Sequence, residues 1–454
     1  MIKTEGKSIH GQWSSRWAFI MAATGAAVGL GNIWKFPYLT GVHGGSAFVL
    51  VYVLCVAALG IPMMMAEVML GRRGRQTPVN SMRALAEENN ASQGWQLIGW
   101  SGTLAGMLIL SYYSVIGGWT LGYIIHSATG NFSGLSGDGA SALFEEFVGS
   151  PLVQVGWHTA FMIITIYVVA RGVQSGLEKA VTYLMPALFT LLLILVGYAI
   201  STGYFMKGLA FLFTPDFSHF SGTSMLTAMG QAFFSLSLGM GTIMIYGSYV
   251  PKGTSIATTS MAIAISDTMV ALIAGMAIFP IVFANALELG AGPSLIFETI
   301  PVAFGNMTGG TLFGTLFFIL LLIAAWTSSI SLIEPAVTMM IENFNMTRKQ
   351  AALWTGLATW LLGFGTAFSF NIWADAKLFG MTFFDHLDFL TSNLMLPLGG
   401  ICIAIFAGWL MTKETSQAEL DIKSKVGYSI WQVLIRFVAP IAVSIVLFHA
   451  IGIF

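Results

Sequence analysis

The sequence predicts an all-α polytopic membrane protein of eleven transmembrane helices, arranged as a 5+5 inverted repeat with discontinuous helices 1 and 6. The chain is strongly apolar, its apolar runs are long enough to cross a bilayer, and two runs are interrupted at corresponding places. Of the 454 residues, 56% are hydrophobic and 9% are charged, and the mean hydropathy is +0.80. An ordinary soluble domain carries about 25% charged residues. Composition therefore assigns the chain to the membrane.

Eleven apolar runs follow one another without a linker or a low-complexity tract. Because a spanning helix needs about 20 mostly apolar residues, we expect a single transmembrane domain over residues 1–454. We expect the two repeats at about 13–201 and 223–411, followed by an extra helix at 428–453. The expected spans lie near residues 16–41, 46–71, 95–129, 151–170, 177–201, 223–250, 256–287, 309–341, 349–372, 383–411 and 428–453.

Basic residues predict the orientation, because cytoplasmic loops are enriched in lysine and arginine. The long loop at 127–150, which follows an odd-numbered span, carries three acidic residues and no basic one. We therefore expect a plasma (inner) membrane protein with a cytoplasmic N-terminus and an extracellular or periplasmic C-terminus. The loops after even-numbered spans hold Arg72, Arg73, Arg75, Arg83, Arg171, Lys179, Lys252, Arg348, Lys349, Lys413, Lys423 and Lys425.

The overall charge excludes a polyanionic partner. The chain has 19 basic and 20 acidic residues and a net charge of −1, so we expect no nucleic-acid binding. The partner that the composition requires is the lipid bilayer, and the oligomeric state is left open.

Paired glycines interrupt two apolar runs that lie five spans apart. Gly29 and Gly31 interrupt the first run, and Gly239 and Gly241 interrupt the sixth. A glycine costs a helix interior roughly 1 kcal/mol, and the backbone groups it frees cannot remain unpaired in hydrocarbon. Corresponding breaks in two five-span halves are typical of inverted repeats whose broken helices form a binding site near the bilayer midplane. The alternative is that the glycines only allow close helix packing.

Polar side chains beside both breaks favour the binding site over simple packing. The amino end of a half-helix favours an anionic group, and exposed carbonyls favour cations. We therefore expect a zwitterion and a small metal ion. The polar residues are Asn32 beside the first break and Gln231, Ser235 and Ser237 beside the second.

Seven segments, in order through spans one to ten, carry a resemblance to a known family. They are WSSRWAFIMAATGAAVGLGNIWKFPY (13–38), GGSAF (44–48), GIPMMMAEVMLGR (60–72), SYYSVIGGW (111–119), TPDF (214–217), GQAFFSLSLGMG (230–241) and AAWTSSISLIEP (324–335). On these segments the chain resembles the neurotransmitter:sodium symporter family, in particular its bacterial amino-acid transporters. The resemblance implies sodium-coupled import of neutral hydrophobic or aromatic L-amino acids by alternating access, without enzymatic chemistry.

The resemblance also implies two sodium sites built from oxygen ligands, which hard cations prefer. The first would use the Ala27 carbonyl, Asn32, Ser235, Asp267 and the substrate carboxylate. The second would use the carbonyls of Gly25, Val28 and Ala324 with the hydroxyls of Thr327 and Ser328. For these two hydroxyls alone, the alternative is hydrogen bonding within their own helix.

Asp267 is expected to neutralise sodium and make transport independent of chloride. A carboxylate at the centre of a membrane helix costs roughly 2.5 to 3.5 kcal/mol on insertion scales, so it needs a partner or a function. In chloride-dependent relatives of the resembled family an asparagine stands here. The alternatives are a protonated or water-bonded structural acid, or a register that puts Ser266 at this position.

The resemblance places a carboxylated substrate between the two breaks. Monoamine-transporting relatives have an aspartate where this chain has Gly29, so the substrate must bring its own carboxylate. Met240 replaces a bulkier aromatic of some bacterial relatives, and a flexible thioether leaves room for a ring. The implied substrate-binding residues are Ala26, Ala27, Leu30, Gly31, Ile109, Tyr113, Phe234, Ser235, Ser237, Met240, Ser328 and Leu332.

The resemblance implies gates on both sides of the site. Lys35 and Asp388 would form an outer charged pair, above an aromatic lid of Tyr113 and Phe234. Trp13 and Glu342 would close the inner side, where His10 stands in place of the family's basic residue. We hypothesise that this histidine makes inward opening depend on cytoplasmic pH.

Two further residue patterns concern gating. Glu67 is expected to bond the free amides of both breaks. Gly176 and Pro186, ten positions apart, would accompany unwinding of the inner end of the fifth span, or mark an ordinary proline kink.

The sequence disfavours three functions other than sodium-coupled transport. A membrane hydrolase is disfavoured because the chain has neither an HExxH nor a GxSxG pattern. Two broken helices around a closed pocket disfavour a passive channel. A proton-coupled transporter would lack the paired hydroxyls of Thr327 and Ser328.

Overall fold

A computed structural model of the chain describes residues 10–287 and 295–453. Apart from one isolated bridge between Leu378 and Met381, the regular structure of these described residues is helical. The all-α class predicted from composition and apolar runs is therefore confirmed.

Nine helices in the described residues are long and apolar enough to cross a membrane. We number them by the predicted span to which each corresponds. Helices 2, 3, 4, 5, 7, 8, 9, 10 and 11 are Ser46–Gly74, Gln93–Ala128, Pro151–Ala170, Val173–Ser201, Ile256–Ala284, Gly310–Phe344, Arg348–Phe368, Phe383–Leu410 and Lys425–Ala450.

Helices 1 and 6 are both discontinuous, as the paired glycines predict. Helix 1 consists of Arg16–Ala27 and Gly31–Val42, which are bent by 55°. Helix 6 consists of Gly222–Ser235 and Thr242–Ser248. Each half of helix 6 is shorter than the roughly 20 residues that a span needs, so the total of eleven spans stays a prediction. The boundaries of the repeats also stay a prediction.

In residues 10–287 and 295–453, five shorter helices lie between the long ones. Several begin with a side-chain cap; Thr77, for example, accepts a hydrogen bond from the Asn80 amide. The short helices are Pro78–Glu88, Gly137–Gly149, Phe205–Phe213, Leu295–Gly305 and Lys413–Leu420.

Helices 2, 3 and 8 surround the broken helices at close range. Helix 8 packs along helix 3, and the second half of helix 6 packs against helix 2. A Cβ atom added at Gly71 of helix 2 would lie 1.8 Å from the carbonyl oxygen of Met244 in helix 6. Small residues allow such approaches between membrane helices, so part of the glycine content serves packing.

The inner end of helix 5 is wound in this structure. Residues Val173–Glu178 form a π-helical turn, and Pro186 lies inside the α-helix that follows. A Cβ atom added at Gly176 would lie 2.2 Å from the carbonyl oxygen of Val168. The glycine therefore permits a tight turn, and the unwinding that the sequence raised as one alternative is not seen here.

Replacing Gly71 by alanine is expected to destabilise the fold. The added methyl group would overlap the Met244 carbonyl, and overpacking of this kind costs about 1–3 kcal/mol. Gly197→Ala is the matched control, because a Cβ atom there meets nothing within 4 Å. Thermal unfolding in detergent should show a lowered transition temperature for Gly71→Ala only. An unchanged transition for Gly71→Ala would rule out the close approach of helices 2 and 6.

Candidate functional site

The backbone amides at the break in helix 1 are hydrogen-bonded to side chains. Residues 28–30 separate its two helical parts. The backbone amide of Gly29 donates to Oδ1 of the buried Asn32 at 3.1 Å, and that of Leu30 donates to the Tyr113 hydroxyl at 3.0 Å. The amides that the break releases thus have acceptors inside the protein.

The break in helix 6 depends on left-handed backbone. Ser237, Gly239 and Gly241 have φ angles of 54°, 82° and 71°. Glycine adopts such angles without steric cost, whereas a serine does not. The Ser237 hydroxyl donates to the Ala26 carbonyl at 3.0 Å. The strained residue therefore connects the second break to the first.

Glu67 and Gln231 pair two more backbone groups of the breaks. The Gly239 amide donates to Oε1 of the buried Glu67 at 2.7 Å, and the Gln231 side-chain amide donates to the Gly31 carbonyl at 2.9 Å. The sequence predicted that Glu67 would bond both breaks. Its described hydrogen bond reaches helix 6 only, and Gln231, like Ser237, bonds a carbonyl of helix 1.

A cavity of about 30 Å³ lies between the two breaks. Every predicted substrate-binding residue except Leu30 lines it, and Gly29 lines it in addition. The Leu30 amide is turned to Tyr113 instead. Because this volume suits about two water molecules, a larger ligand requires the walls to move. The lining residues are Ala26, Ala27, Gly29, Gly31, Ile109, Tyr113, Phe234, Ser235, Ser237, Met240, Ser328 and Leu332.

One group of oxygens converges between helices 1 and 8. The Ser328 hydroxyl oxygen lies 3.1 Å from the Val28 carbonyl oxygen, 3.2 Å from that of Ala324 and 3.5 Å from that of Gly25. The Thr327 hydroxyl lies 3.1 Å from the same Ala324 carbonyl. All five residues predicted for the second sodium site are thus brought together. Both hydroxyls also bond carbonyls of their own helix, as the alternative expected, and their role as sodium ligands stays a prediction.

A second polar cluster joins helices 1, 6 and 7 around the fully buried Asp267. The Asn32 side-chain amide donates to Oδ1 at 2.8 Å, and the Ser235 hydroxyl donates to Oδ2 at 3.0 Å. The Tyr52 hydroxyl lies 3.1 Å from that of Ser235. The register with Asp267 in this cluster is the observed one, whereas Ser266 is only half-buried. Ala27 lines the adjoining cavity, with no described contact to the carboxylate.

A family model described as "Sodium:neurotransmitter symporter family" matches residues 10–136 and 147–454. The chain belongs to the sodium:neurotransmitter symporter family. Membership explains the broken helices and confirms the predicted resemblance. It makes the protein a sodium-coupled, multi-pass membrane transporter rather than an enzyme.

Three similar proteins cover nearly the whole symporter. An uncharacterised sodium-dependent transporter of Bacillus subtilis, YhdH, is 39% identical over 445 residues, which are 97% of this chain and 98% of the relative. One from Haemophilus influenzae is 33% identical over 441 residues, covering 96% of each chain. The crystal structure of MhsT in complex with L-phenylalanine matches with a TM-score of 0.89 and 42% identity, over 97% of this chain and 99% of that one.

The two residues predicted for the outer gate do not form the expected ion pair. The Lys35 ammonium lies 4.4 Å from the centroid of the Phe234 ring, and it forms no salt bridge with Asp388. Asp388 instead accepts hydrogen bonds from Ser392 at 2.9 Å and from Tyr112 at 3.4 Å. Asp388 thus bonds polar side chains of helices 3 and 10. Lys35 makes a cation–π contact with Phe234 of the predicted aromatic lid.

The residues predicted for the inner gate, Trp13 and Glu342, contact separate parts of the protein. Buried Trp13 donates from Nε1 to the Tyr246 carbonyl at 3.0 Å. Glu342 lies 2.8 Å from Nε2 of His10 and also accepts from the side-chain amide of Asn80 at 2.7 Å. His10, which in the sequence stands in place of the family's basic residue, thus contacts Glu342.

Sequence reasoning missed a buried ion pair near the inner gate. The Nη1 and Nη2 atoms of Arg348 donate to the carboxylate of fully buried Glu334, at 2.7 and 2.5 Å, and the Tyr249 hydroxyl donates to it at 2.8 Å. From the sequence, Arg348 is predicted only to lie in a cytoplasmic loop. Glu334, in the middle of an apolar run, was a signal that a buried carboxylate required a cationic partner.

Proposed function

We propose that this symporter imports neutral hydrophobic or aromatic L-amino acids with two sodium ions, by alternating access and without chloride. The observation that carries the proposal is the cavity between the breaks, whose lining contains polar backbone but no charged side chain. A charged substrate side chain would lose its hydration there without compensation. The complex of the similar transporter MhsT with L-phenylalanine supports an aromatic substrate.

The first sodium ion would bind beside the substrate, at Asn32, Ser235 and Asp267. The clustering of these side chains next to the cavity supports this position. The substrate carboxylate would complete the ligand set together with the Ala27 carbonyl. Because each ligand then contributes to the site of the other, each raises the affinity of the other by the same factor.

The second sodium ion would bind where Ser328 faces helix 1. Three carbonyls and two hydroxyls there provide neutral oxygen ligands, which suit an alkali cation. This ion would join the first helical part of helix 1 to helix 8. Its release would allow that part to move away from helix 8, which opens the inner path.

Chloride independence rests on Asp267. In its ionised form this carboxylate, which accepts from Ser235, would place a negative charge next to the first sodium ion. A chloride ion bound beside it would be repelled.

Uptake into proteoliposomes tests the proposal. Labelled phenylalanine, leucine, methionine, glutamate and lysine would be supplied with sodium chloride, sodium gluconate or potassium chloride outside. We expect uptake of the three neutral substrates with either sodium salt, and none with potassium. Uptake that persists without sodium would reject the coupling, and uptake that requires chloride would reject the role of Asp267.

Gly29→Ala should abolish phenylalanine uptake. The added Cβ atom would lie 2.6 Å from the Ser328 hydroxyl and 2.7 Å from the Tyr113 hydroxyl, at the carboxylate end of the proposed site. Gly230→Ala is the control, because its nearest contact would be 3.7 Å, to Val446. Equilibrium binding of labelled phenylalanine should fall for Gly29→Ala alone. Wild-type binding by that variant would place the substrate elsewhere.

Ser328→Ala should weaken sodium activation of uptake. Loss of one oxygen ligand is expected to raise the half-maximal sodium concentration about tenfold, which corresponds to 1.4 kcal/mol. Ser329→Ala is the matched control, because that buried hydroxyl bonds only its own helix, at the Ala325 carbonyl 2.8 Å away. Equal sodium dependence of the two variants would argue against a cation at Ser328.

A further inference from the structure

The residues just before helix 1 are held from two sides. Trp13 is bonded to helix 6, through its backbone amide to Tyr249 and its indole to Tyr246. Its two neighbours are bonded to helix 5. The Gln174 side-chain amide donates to the Gln12 carbonyl at 2.9 Å, and Ser14 donates to Glu178.

Glu178 uses both carboxylate oxygens on one residue. The Ser14 backbone amide donates to Oε2 at 3.0 Å, and the Ser14 hydroxyl donates to Oε1. Ser15, the next residue, is the N-cap of helix 1 and accepts from the Ala18 amide at 3.1 Å. A carboxylate is favourable near the amino end of a helix. Helix 5 therefore supplies an acidic side chain, which helix 1 does not have in its own first turn.

Glu178 is the last residue of the π-helical turn Val173–Glu178. The turn begins after Gly172, whose φ is 93°. The amides of Gly176 and Leu177 both donate to the Gly172 carbonyl, at 3.1 and 3.0 Å. Opening this turn would carry Glu178 away from Ser14.

We propose that Glu178 is a positioning residue of the inner gate, whose carboxylate holds Ser14 and couples the inner half of helix 1 to the π-helical turn of helix 5. The inference rests on the proposed alternating-access function. When the turn opens, helix 1 loses this contact; when helix 1 swings out, the turn loses its side-chain ligand. The two movements are therefore expected together.

This contact differs from the one between His10 and Glu342. Glu342 belongs to helix 8 and also bonds the Thr77 amide at 3.0 Å, so it joins the N-terminal segment to the surrounding scaffold. Glu178 joins it to a turn of unusual winding. Because Ser14 is exposed, the contact with Glu178 is weak enough to break in each cycle.

A cysteine reporter near helix 1 measures inner opening. Val181 is buried, and its Cγ1 lies 3.5 Å from where a Gly25 Cβ would be. The parent protein carries Val181→Cys, with Cys55→Ser and Cys402→Ser to remove both native thiols. The full-length protein in detergent is labelled with a thiol reagent, in potassium and across a sodium titration. Glu178→Gln is compared with Glu414→Gln, an exposed acidic residue in the short helix Lys413–Leu420.

In potassium, Glu178→Gln should be labelled about two- to fivefold faster than the parent, the range that an exposed charge-assisted contact gives. Glu414→Gln should match the parent. The sodium concentration that half-protects the cysteine should rise by a similar factor for Glu178→Gln only. A contact that served stability alone would not shift this sodium dependence. Ser14→Ala, which removes only the hydroxyl bond, should have a smaller effect that does not add to that of Glu178→Gln.

Labelling of Glu178→Gln at the parent rate in potassium would overturn the proposal. Should that variant unfold at a lower temperature than the parent, Ser14→Ala decides, because it keeps the carboxylate: faster labelling supports the proposal and unchanged labelling overturns it. Failure of the proposed function would give a different experimental result. In that case sodium would not protect the parent, while the ratio of rates in potassium would still test Glu178.

Discussion

Backbone groups that leave a helix inside a membrane must find other partners, and this constraint organises the structure. Each break exposes amides and carbonyls that hydrocarbon cannot solvate. Most of their partners are side chains from neighbouring helices, which therefore surround one small volume with polar atoms. The proposed binding site for a zwitterion and a cation lies in this volume. The side chains that do this pairing are Asn32, Glu67, Tyr113, Gln231, Ser237 and Ser328.

The sequence predicted this centre well because its signals are local. Glycines within apolar runs marked both breaks, and Asn32 and Ser235 lay beside them. Asp267 was recognisable because a carboxylate in an apolar helix needs a reason to be there. The resemblance to a family then supplied the residues of helices 3 and 8, which lie far away in sequence and carry no pattern of their own. Leu30 is the exception: the resemblance implied that it binds the substrate, but its amide donates to the Tyr113 hydroxyl and it does not line the cavity.

The gates were predicted less well because they depend on pairings distant in sequence and on side-chain reach. Lys35 ends in a compact ammonium on a flexible stem, and it lies over the Phe234 ring, while Asp388 accepts a hydrogen bond from Ser392. The bond between Ser14 and Glu178 joins residues 164 positions apart, both polar and near the predicted membrane surface. Nothing in the local sequence distinguishes such residues from ordinary solvated ones.

A site in which substrate and sodium share ligands requires that each increase the affinity of the other equally. Isothermal titration of the purified protein with phenylalanine at several sodium concentrations, and with sodium at several phenylalanine concentrations, measures both effects. We expect sodium to tighten phenylalanine binding and phenylalanine to tighten sodium binding by the same factor, with potassium having no effect. Phenylalanine binding of equal affinity in sodium and in potassium would show that the two broken helices do not hold both ligands together.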